Sequence, residues 1–228
     1  MKPNHSLPAA AIFDMDGVLV DSNPFHLKKW ANLLSLHHIP FNEPDLPKLI
    51  LGQRNDTALR YFFGQDLDKK ECRRLEEELE ETFRRAFKSH AKPLPGIERL
   101  ILACRDAGIP MAVASSAMLK NVDFVVDALG FRSYFNYVVS GDEVACPKPD
   151  PEIYLKAARN LGQRPEDCVA FEDSFVGIES AKRAGLKCVA IGSSFPVEEL
   201  RRQSQADLTV RGFGELDVEA LRRLFLFD

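Results

Sequence analysis

From residue 97 onward the sequence alternates short apolar runs with stretches of helical periodicity, and this alternation limits the fold more than any other feature. Strand-length runs fall at 111–114, 137–139, 168–171, 188–191 and 208–210, and helical patterns fall at 97–108, 118–129, 151–161, 175–184 and 197–203. Two parallel strands need a long crossover between them, usually a helix. Repeated βα units of this length therefore predict an α/β fold built on a doubly wound parallel sheet.

One strand stands far ahead of the others. Residues 9–13 are apolar throughout and end abruptly in Asp14, Asp16 and Gly17 within the run FDMDG. Side chains two apart on extended backbone point the same way, so both carboxylates are expected to face one spot at the strand's C-terminal end. In open α/β sheets that end is where ligands bind. Gly17 lets the chain turn away there without a Cβ penalty. A calcium loop is excluded, because Val18 stands where a third acid belongs and Phe25 where the closing Glu belongs.

Between this strand and the rest of the sheet the pattern is helical. Phe25, Leu27, Trp30, Leu33 and Leu34 recur at helix spacing, with Asn23 expected as the cap and Pro24 in the first turn. A Pro-rich loop and a helix capped by Asn55 or Asp56 follow. A long helix is then expected over 68–90, with Cys72, Leu75, Leu79, Phe83 and Phe87 along one stripe. Its charges, Lys69, Lys70, Arg73, Glu76, Glu77, Glu80 and Arg84, read as the solvated side. The expected division is a core of residues 1–22 and 91–228 with a small helical cap of 23–90 inserted. The two crossings, 21–24 and 90–95, should lie close together and act as a hinge.

Charge and cysteine usage narrow the function. A net charge of −4 in 228 residues leaves no electrostatic footprint for nucleic acid. The five cysteines are widely spaced without a zinc pattern and read as reduced, mostly buried thiols. The apolar segment from Leu7 to Phe13 is broken by Pro8 and ended by Asp14, too short for a secretory signal, and no run approaches membrane-spanning length. A cytoplasmic protein, with neither membrane nor nucleic-acid partner, is expected.

Each core strand ends in a chemically loaded residue. Run 111–114 leads into Ser115 and Ser116. After 137–139 comes Cys146-Pro147-Lys148-Pro149-Asp150-Pro151, which holds Lys148 on stiff backbone. Run 168–171 ends in Glu172-Asp173-Ser174. In a parallel sheet all of these converge on one rim. Four carboxylates (Asp14, Asp16, Glu172, Asp173) against one Lys and a Ser are unbalanced as a structural cluster. A hard divalent cation would balance them, with Mg²⁺ the natural choice, and a phosphate group would complete the site with Lys148 and Ser115.

These motifs, in this order, resemble those of the haloacid dehalogenase superfamily over essentially the whole chain: FDMDG, then Ser115, then Lys148, then Glu172-Asp173. The helical insertion resembles the small cap of the β-phosphoglucomutase-like phosphatases. The resemblance implies a Rossmann-like core in which Asp14 is the nucleophile and Asp16 the general acid and base. Ser115 and Lys148 would bind the phosphoryl group. Mg²⁺ would take oxygens from the Asp14 side chain, the Asp16 backbone carbonyl and Asp173, with Glu172 either touching the ion or standing behind its ligands. Because dehalogenases of this superfamily lack an aspartate at the second position, Asp16 favours phosphoryl transfer over carbon–halogen cleavage.

The same resemblance places His26, Gly52 and Arg54 of the cap against the substrate; Ser116 can donate to an anion beside Ser115, and Asn121, which follows them, is expected either to help the phosphate site or to cap a helix. His26 shares a helix face with Trp30. His5, His37, His38 and His90 have no partner pattern and read as surface residues. The expected activity is Mg²⁺-dependent hydrolysis of a small phosphorylated metabolite such as a sugar phosphate, by a monomer or a dimer. A phosphomutase of the β-phosphoglucomutase kind is the alternative, weakened by Ala117 and Met118 where mutases carry Ser and Lys. A non-catalytic phosphometabolite binder is a third reading, but it would not need both Asp14 and Asp16.

Overall fold

Strand β1 (Ala10–Phe13) carries no polar side chain, which suits it to the middle of a sheet covered on both faces. The computed structural model describes residues 7–226 and places it there. The other strands are β2 (Met111–Ala114), β3 (Tyr137–Val139), β4 (Cys168–Glu172), β5 (Lys187–Ile191) and β6 (Leu208–Val210). All pair in parallel, in the order β3-β2-β1-β4-β5-β6. The order reverses beside β1, the switch point at which such sheets open a crevice for ligand.

Alternation along the strands sorts the core by size. Phe13, Met111, Val113, Val169, Phe171, Val189 and Ile191 share one face, where Phe13 stacks on Phe171 with ring centroids 4.6 Å apart. Ala10, Ala112, Ala114, Cys168, Ala170, Cys188 and Ala190 share the other. Small residues there let two helices lie close to the strands. Each fully buried Phe on the first face contributes roughly 1.5–3 kcal/mol.

The chain leaves β1 for four consecutive helices: α1 (Asn23–Leu36), α2 (Leu46–Ile50), α3 (Asn55–Phe63) and α4 (Lys69–Phe87). They bury a core of their own around Trp30, Leu33, Leu34, Leu59, Leu75 and Leu79. Helix α4 starts at Asp68, whose side chain accepts from the Lys70 and Glu71 amides. It stops at Phe87, three residues short of the expected end, and its last turns carry Phe83 and Phe87 into the sheet-side core. The two crossings run side by side, with Val20 bridged to Pro93 and the Leu94 amide donating to Leu19 O at 3.0 Å.

Helices α5 (Ile97–Asp106), α6 (Leu119–Ala128) and α10 (Val218–Leu226) cover the large-residue face, and α7 (Glu152–Asn160) and α8 (Phe175–Arg183) the small-residue face, with α9 (Val197–Gln203) beside β6. Four cysteines are buried and Cys146 is exposed, all as free thiols. Among the described residues no helix is long and apolar enough to cross a membrane.

Three readings of the helical insertion need correction. Glu80 is not on a wet face: it is buried, bonded to Lys29 at 2.9 Å, and Lys29 is buried with it. Glu76 is partly buried as well. Both lie on the flank of the α4 stripe that turns toward the sheet rim, a direction that helical periodicity does not reveal. Asn23 does not cap α1; its amide is taken by a carboxylate of the core. Among the remaining histidines, His38 and His90 are exposed, His37 is half-buried edge-on to Phe63, and His5 lies outside the described residues.

Candidate active site

Strand register assembles the rim. Phe13 is level with Val113 on one side and Phe171 on the other, so Asp14, Ala114 and Glu172 follow as neighbours. The ladder continues one step, with the Asp14 amide donating to Phe171 O at 3.0 Å and the Ser115 amide to Val139 O at 3.0 Å. Gly17 then turns the chain back at φ +75°, and a Cβ there would overlap the Asp173 carboxylate. That close approach, more than the turn itself, demands glycine.

Lys148, fully buried in the loop between β3 and α7, ties the rim together. Its Nζ donates to Asp14 Oδ1 at 2.7 Å, Glu172 Oε1 at 2.6 Å and Ala114 O at 3.2 Å. Burial works against its charge, but Asp14 and Glu172 more than reverse this and hold it protonated. Glu172 Oε1 also accepts from Tyr154 Oη at 2.7 Å, while Oε2 accepts from the amides of Asp173 and Ser174 and the Ser174 hydroxyl. Both oxygens of Glu172 are thus engaged by the protein. Asp14 Oδ2, by contrast, accepts no hydrogen bond among the described residues.

Asp14, Glu172 and Asp173 each place a carboxylate oxygen within 4.8 Å of the other two. Burial pushes the Asp14 carboxyl well up, and although Lys148 opposes this, Glu172 and Asp173 add to it. Asp173 is pushed up to about 8, first by burial and then by Glu172. One ammonium cannot balance three crowded acids, and their hard oxygen donors suit a divalent cation such as Mg²⁺. Asp173 is oriented by Asn23, whose amide donates to Oδ2 at 2.7 Å, and by the Ser194 hydroxyl.

The Asp16 carboxylate stands apart from this cluster. It accepts from the Ser22 hydroxyl and meets His26 Nε2 at 3.0 Å, with the His26 ring stacked on Phe83. Burial pushes its carboxyl up, but His26 and Ser22 outweigh that and leave it below the usual carboxylate range. The prediction that both aspartates face one spot therefore needs refining. They line one chamber, but Asp14 turns to the cation cluster and Asp16 to the start of α1.

That chamber, about 250 Å³, lies between the rim and the inserted helices. Of the residues singled out in the sequence, Asp14, Asp16, His26, Gly52, Arg54, Ser115 and Ser116 all line it. The Ser115 hydroxyl accepts from the Ala117 amide at 3.1 Å, which leaves its proton to donate. Ser116 Oγ donates to Gly52 O at 2.8 Å and so links core to cap. Arg54 is held by Asp56 through two bonds, at 3.0 and 2.6 Å, and by Val144 O at 3.2 Å.

Asn121 does not reach the phosphate side. It is buried against α4, bonded to Glu80 and Arg84, and does not line the chamber. Ser22, Asn23, Tyr154 and Ser194 belong to the site but were not singled out for it. Only Ser22 and Asn23 carried a signal, as a polar pair just after the aspartate motif.

Comparison with known proteins agrees with this geometry. Residues 8–185 match the family profile of the haloacid dehalogenase-like hydrolases. The chain is 32% identical over 220 residues to the β-phosphoglucomutase of Bacillus subtilis, covering 93% of each. It is 29% identical over 215 residues to the chloroplastic 5-amino-6-(5-phospho-D-ribitylamino)uracil phosphatase of Arabidopsis thaliana, spanning 94% of this chain but 57% of that protein. Its fold superposes on the crystal structure of β-phosphoglucomutase from Clostridium difficile with a TM-score of 0.85 and 26% identity, covering 96% and 97% of the two chains.

Proposed function

The chain belongs to the haloacid dehalogenase-like hydrolases, and from that premise we propose that it is a Mg²⁺-dependent phosphatase of a small phosphorylated metabolite, working through an aspartyl phosphate on Asp14. The observation that carries this reading is the convergence on one rim of Asp14, its buried partner Lys148 and the acids Glu172 and Asp173, beneath a chamber that also holds Asp16.

Asp14 Oδ1 is held by Lys148, which aims the carboxylate and leaves Oδ2 to attack phosphorus. As the Oδ2–P bond forms and the bond to the leaving oxygen breaks, Asp16 gives a proton to that oxygen; because His26 and Ser22 favour its carboxylate in the free protein, the reactive complex is the one in which Asp16 has taken up that proton. In the second half Asp16 takes a proton from water, which attacks the aspartyl phosphate and releases inorganic phosphate. General acid–base transfer of this kind is worth roughly 10²- to 10⁴-fold. His26 and Ser22 fix the Asp16 carboxylate at the mouth of the chamber. Lys148 and the Ser115 hydroxyl offset the charge on the phosphoryl oxygens. Asp14 and Asp173 would hold Mg²⁺, with Glu172 supporting them, and the ion would add charge neutralisation there. Ser194 and Asn23 keep Asp173 in place for it.

A phosphomutase is the second reading, supported by the likeness to the Bacillus subtilis enzyme and by His26 against Asp16. Purified protein with Mg²⁺ should hydrolyse an aryl phosphate, lose that activity to a chelator, and lose it entirely on Asp14→Asn. It should also bind BeF₃⁻ as an acyl-phosphate mimic. Failure on every phosphomonoester together with no BeF₃⁻ binding refutes the enzyme reading. Bisphosphate-dependent conversion of glucose 1-phosphate to glucose 6-phosphate promotes the mutase.

A further inference from the structure

The reaction scheme leaves Tyr154 unused, although its hydroxyl lies among the groups that carry the chemistry. Tyr154 stands in the first turn of α7, on the same short stretch of chain as Lys148. That stretch is braced: Glu152 Oε2 accepts from the Ala145 and Cys146 amides, both at 2.9 Å, and Asp150 Oδ1 accepts from the Glu152 amide at 2.9 Å. Lys148 and Tyr154 therefore hold a fixed relation to each other. Ala112, Ala114, Ala170 and Cys188 share the core with Tyr154, and strand residues this small leave space for a phenol ring beneath the rim. The ring is fully buried, and its hydroxyl donates to Glu172 Oε1 at 2.7 Å. Lys148 Nζ lies 3.5 Å from that hydroxyl and 5.1 Å from the ring centroid. Burial, then the charges of Glu172 and Asp14, pushes the phenol well above its ordinary value, so it remains a donor.

An ammonium has three protons to give. Around Lys148 stand four acceptors: Asp14 Oδ1, Glu172 Oε1, Ala114 O and Tyr154 Oη. An arriving phosphoryl oxygen adds a further demand on the same cation. Its strongest rival is Glu172, which is fully buried and 2.6 Å from Nζ. Among the described residues, only Lys148 and Tyr154 donate to Glu172 Oε1. Without the phenol proton, Oε1 would depend on the ammonium alone, in a place where an unpaired charge is costly. Glu172 would then keep Lys148 to itself. With the phenol present, Glu172 stays hydrogen-bonded while Lys148 turns toward Asp14 and the phosphoryl group.

We propose that Tyr154 is a positioning residue: its hydroxyl holds Glu172 and thereby frees Lys148 for Asp14 and the phosphoryl oxygens. The proposal rests on the phosphoryl-transfer reading of the site and deepens it. Tyr154 keeps its proton through both half-reactions and acts only through the partner that Lys148 takes. Its effect is felt once phosphorus is bonded to Asp14, so it falls on turnover more than on substrate capture. A role in packing alone would reside in the ring, which phenylalanine retains.

The test is Tyr154→Phe, with circular dichroism to confirm the native fold, 4-nitrophenyl phosphate turnover with Mg²⁺, and calorimetric binding of BeF₃⁻ with Mg²⁺. Losing one hydrogen bond to a buried charge should lower kcat by about 10- to 100-fold while KM stays within about threefold. BeF₃⁻ should bind at least about fivefold more weakly. In protein already carrying Glu172→Gln, whose neutral amide no longer competes for the ammonium, adding Tyr154→Phe should change BeF₃⁻ affinity by less than about twofold. Overturning results are a kcat and BeF₃⁻ affinity within about twofold of the parent, a rise in KM alone, or the same loss in both backgrounds. The catalytic reading is decided separately by the unaltered protein. If that protein hydrolyses no phosphomonoester but its BeF₃⁻ binding weakens on Tyr154→Phe, catalysis is refuted and the positioning role stands. If it neither hydrolyses nor binds BeF₃⁻, both are refuted.

Discussion

Replacing Lys29 by Met is the sharpest test of how the cap is held. Lys29 and Glu80 are bonded at 2.9 Å with side chains 2% and 4% exposed. Removing one member of a buried ion pair costs about 3–5 kcal/mol, because the other charge is left without compensation. Asn55 and Asn121 still donate to Glu80, which places Lys29→Met near the lower end, about 3 kcal/mol. Adding Glu80→Gln removes the orphaned charge and keeps one acceptor oxygen for Asn121, while Asn55 must turn its own amide to accept from the new NH2, so the double variant should recover at least about 1.5 kcal/mol of that loss. The protein's single tryptophan, Trp30, is the neighbouring residue and is buried in the insertion, so its fluorescence reports cap unfolding directly. Urea titration followed by Trp30 emission and by far-ultraviolet circular dichroism gives the two stabilities. A loss below about 1 kcal/mol, or additivity of the two substitutions within ~0.5 kcal/mol, refutes the reasoning.

Two further outcomes follow from the geometry. Gly17→Ala puts a methyl against the Asp173 carboxylate at a backbone φ of +75°, so phosphatase activity should fall about 100-fold or more while circular dichroism stays native; near-normal turnover contradicts the placement of Asp173. Glu76, pushed up to about 7 in the folded protein, binds more protons folded than unfolded between the ordinary Glu range and that value, so it removes stability as pH rises through that window. Glu76→Gln should make the protein more stable than the parent at pH 8 and not at pH 4.5, by about 1 kcal/mol once solvent screening of this partly exposed group is allowed for. Parallel stability–pH curves for the two proteins would count against the shift.

Some of the site is written in local pattern. Asp14, Lys148 and Asp173 each follow a short apolar run or a Pro-fenced loop, and a parallel sheet brings such positions to one edge whatever the details of packing. Arg54 and Gly52 were legible as a loop facing the chamber, yet the Asp56 clamp that occupies Arg54 was not, since a pair two residues apart forms only if the loop bends back. Asn121 shows the limit from the other side. A polar residue after a strand end suggests a phosphate contact, but α6 turns its side chain into the interface with α4.

What the amino-acid order determined alone is the sheet, its helical insertion and the rim of acids with one lysine, because strand and helix periodicities and strand-end residues act over a few positions. What only the tertiary structure decided is the cap wall: Glu80 buried with Lys29, Glu76 and Trp30 facing the chamber, Asn23 reaching Asp173. The flank of a charged helix that meets water or a neighbour depends on how α1, α4 and the core dock, and no spacing within a single helix carries that information.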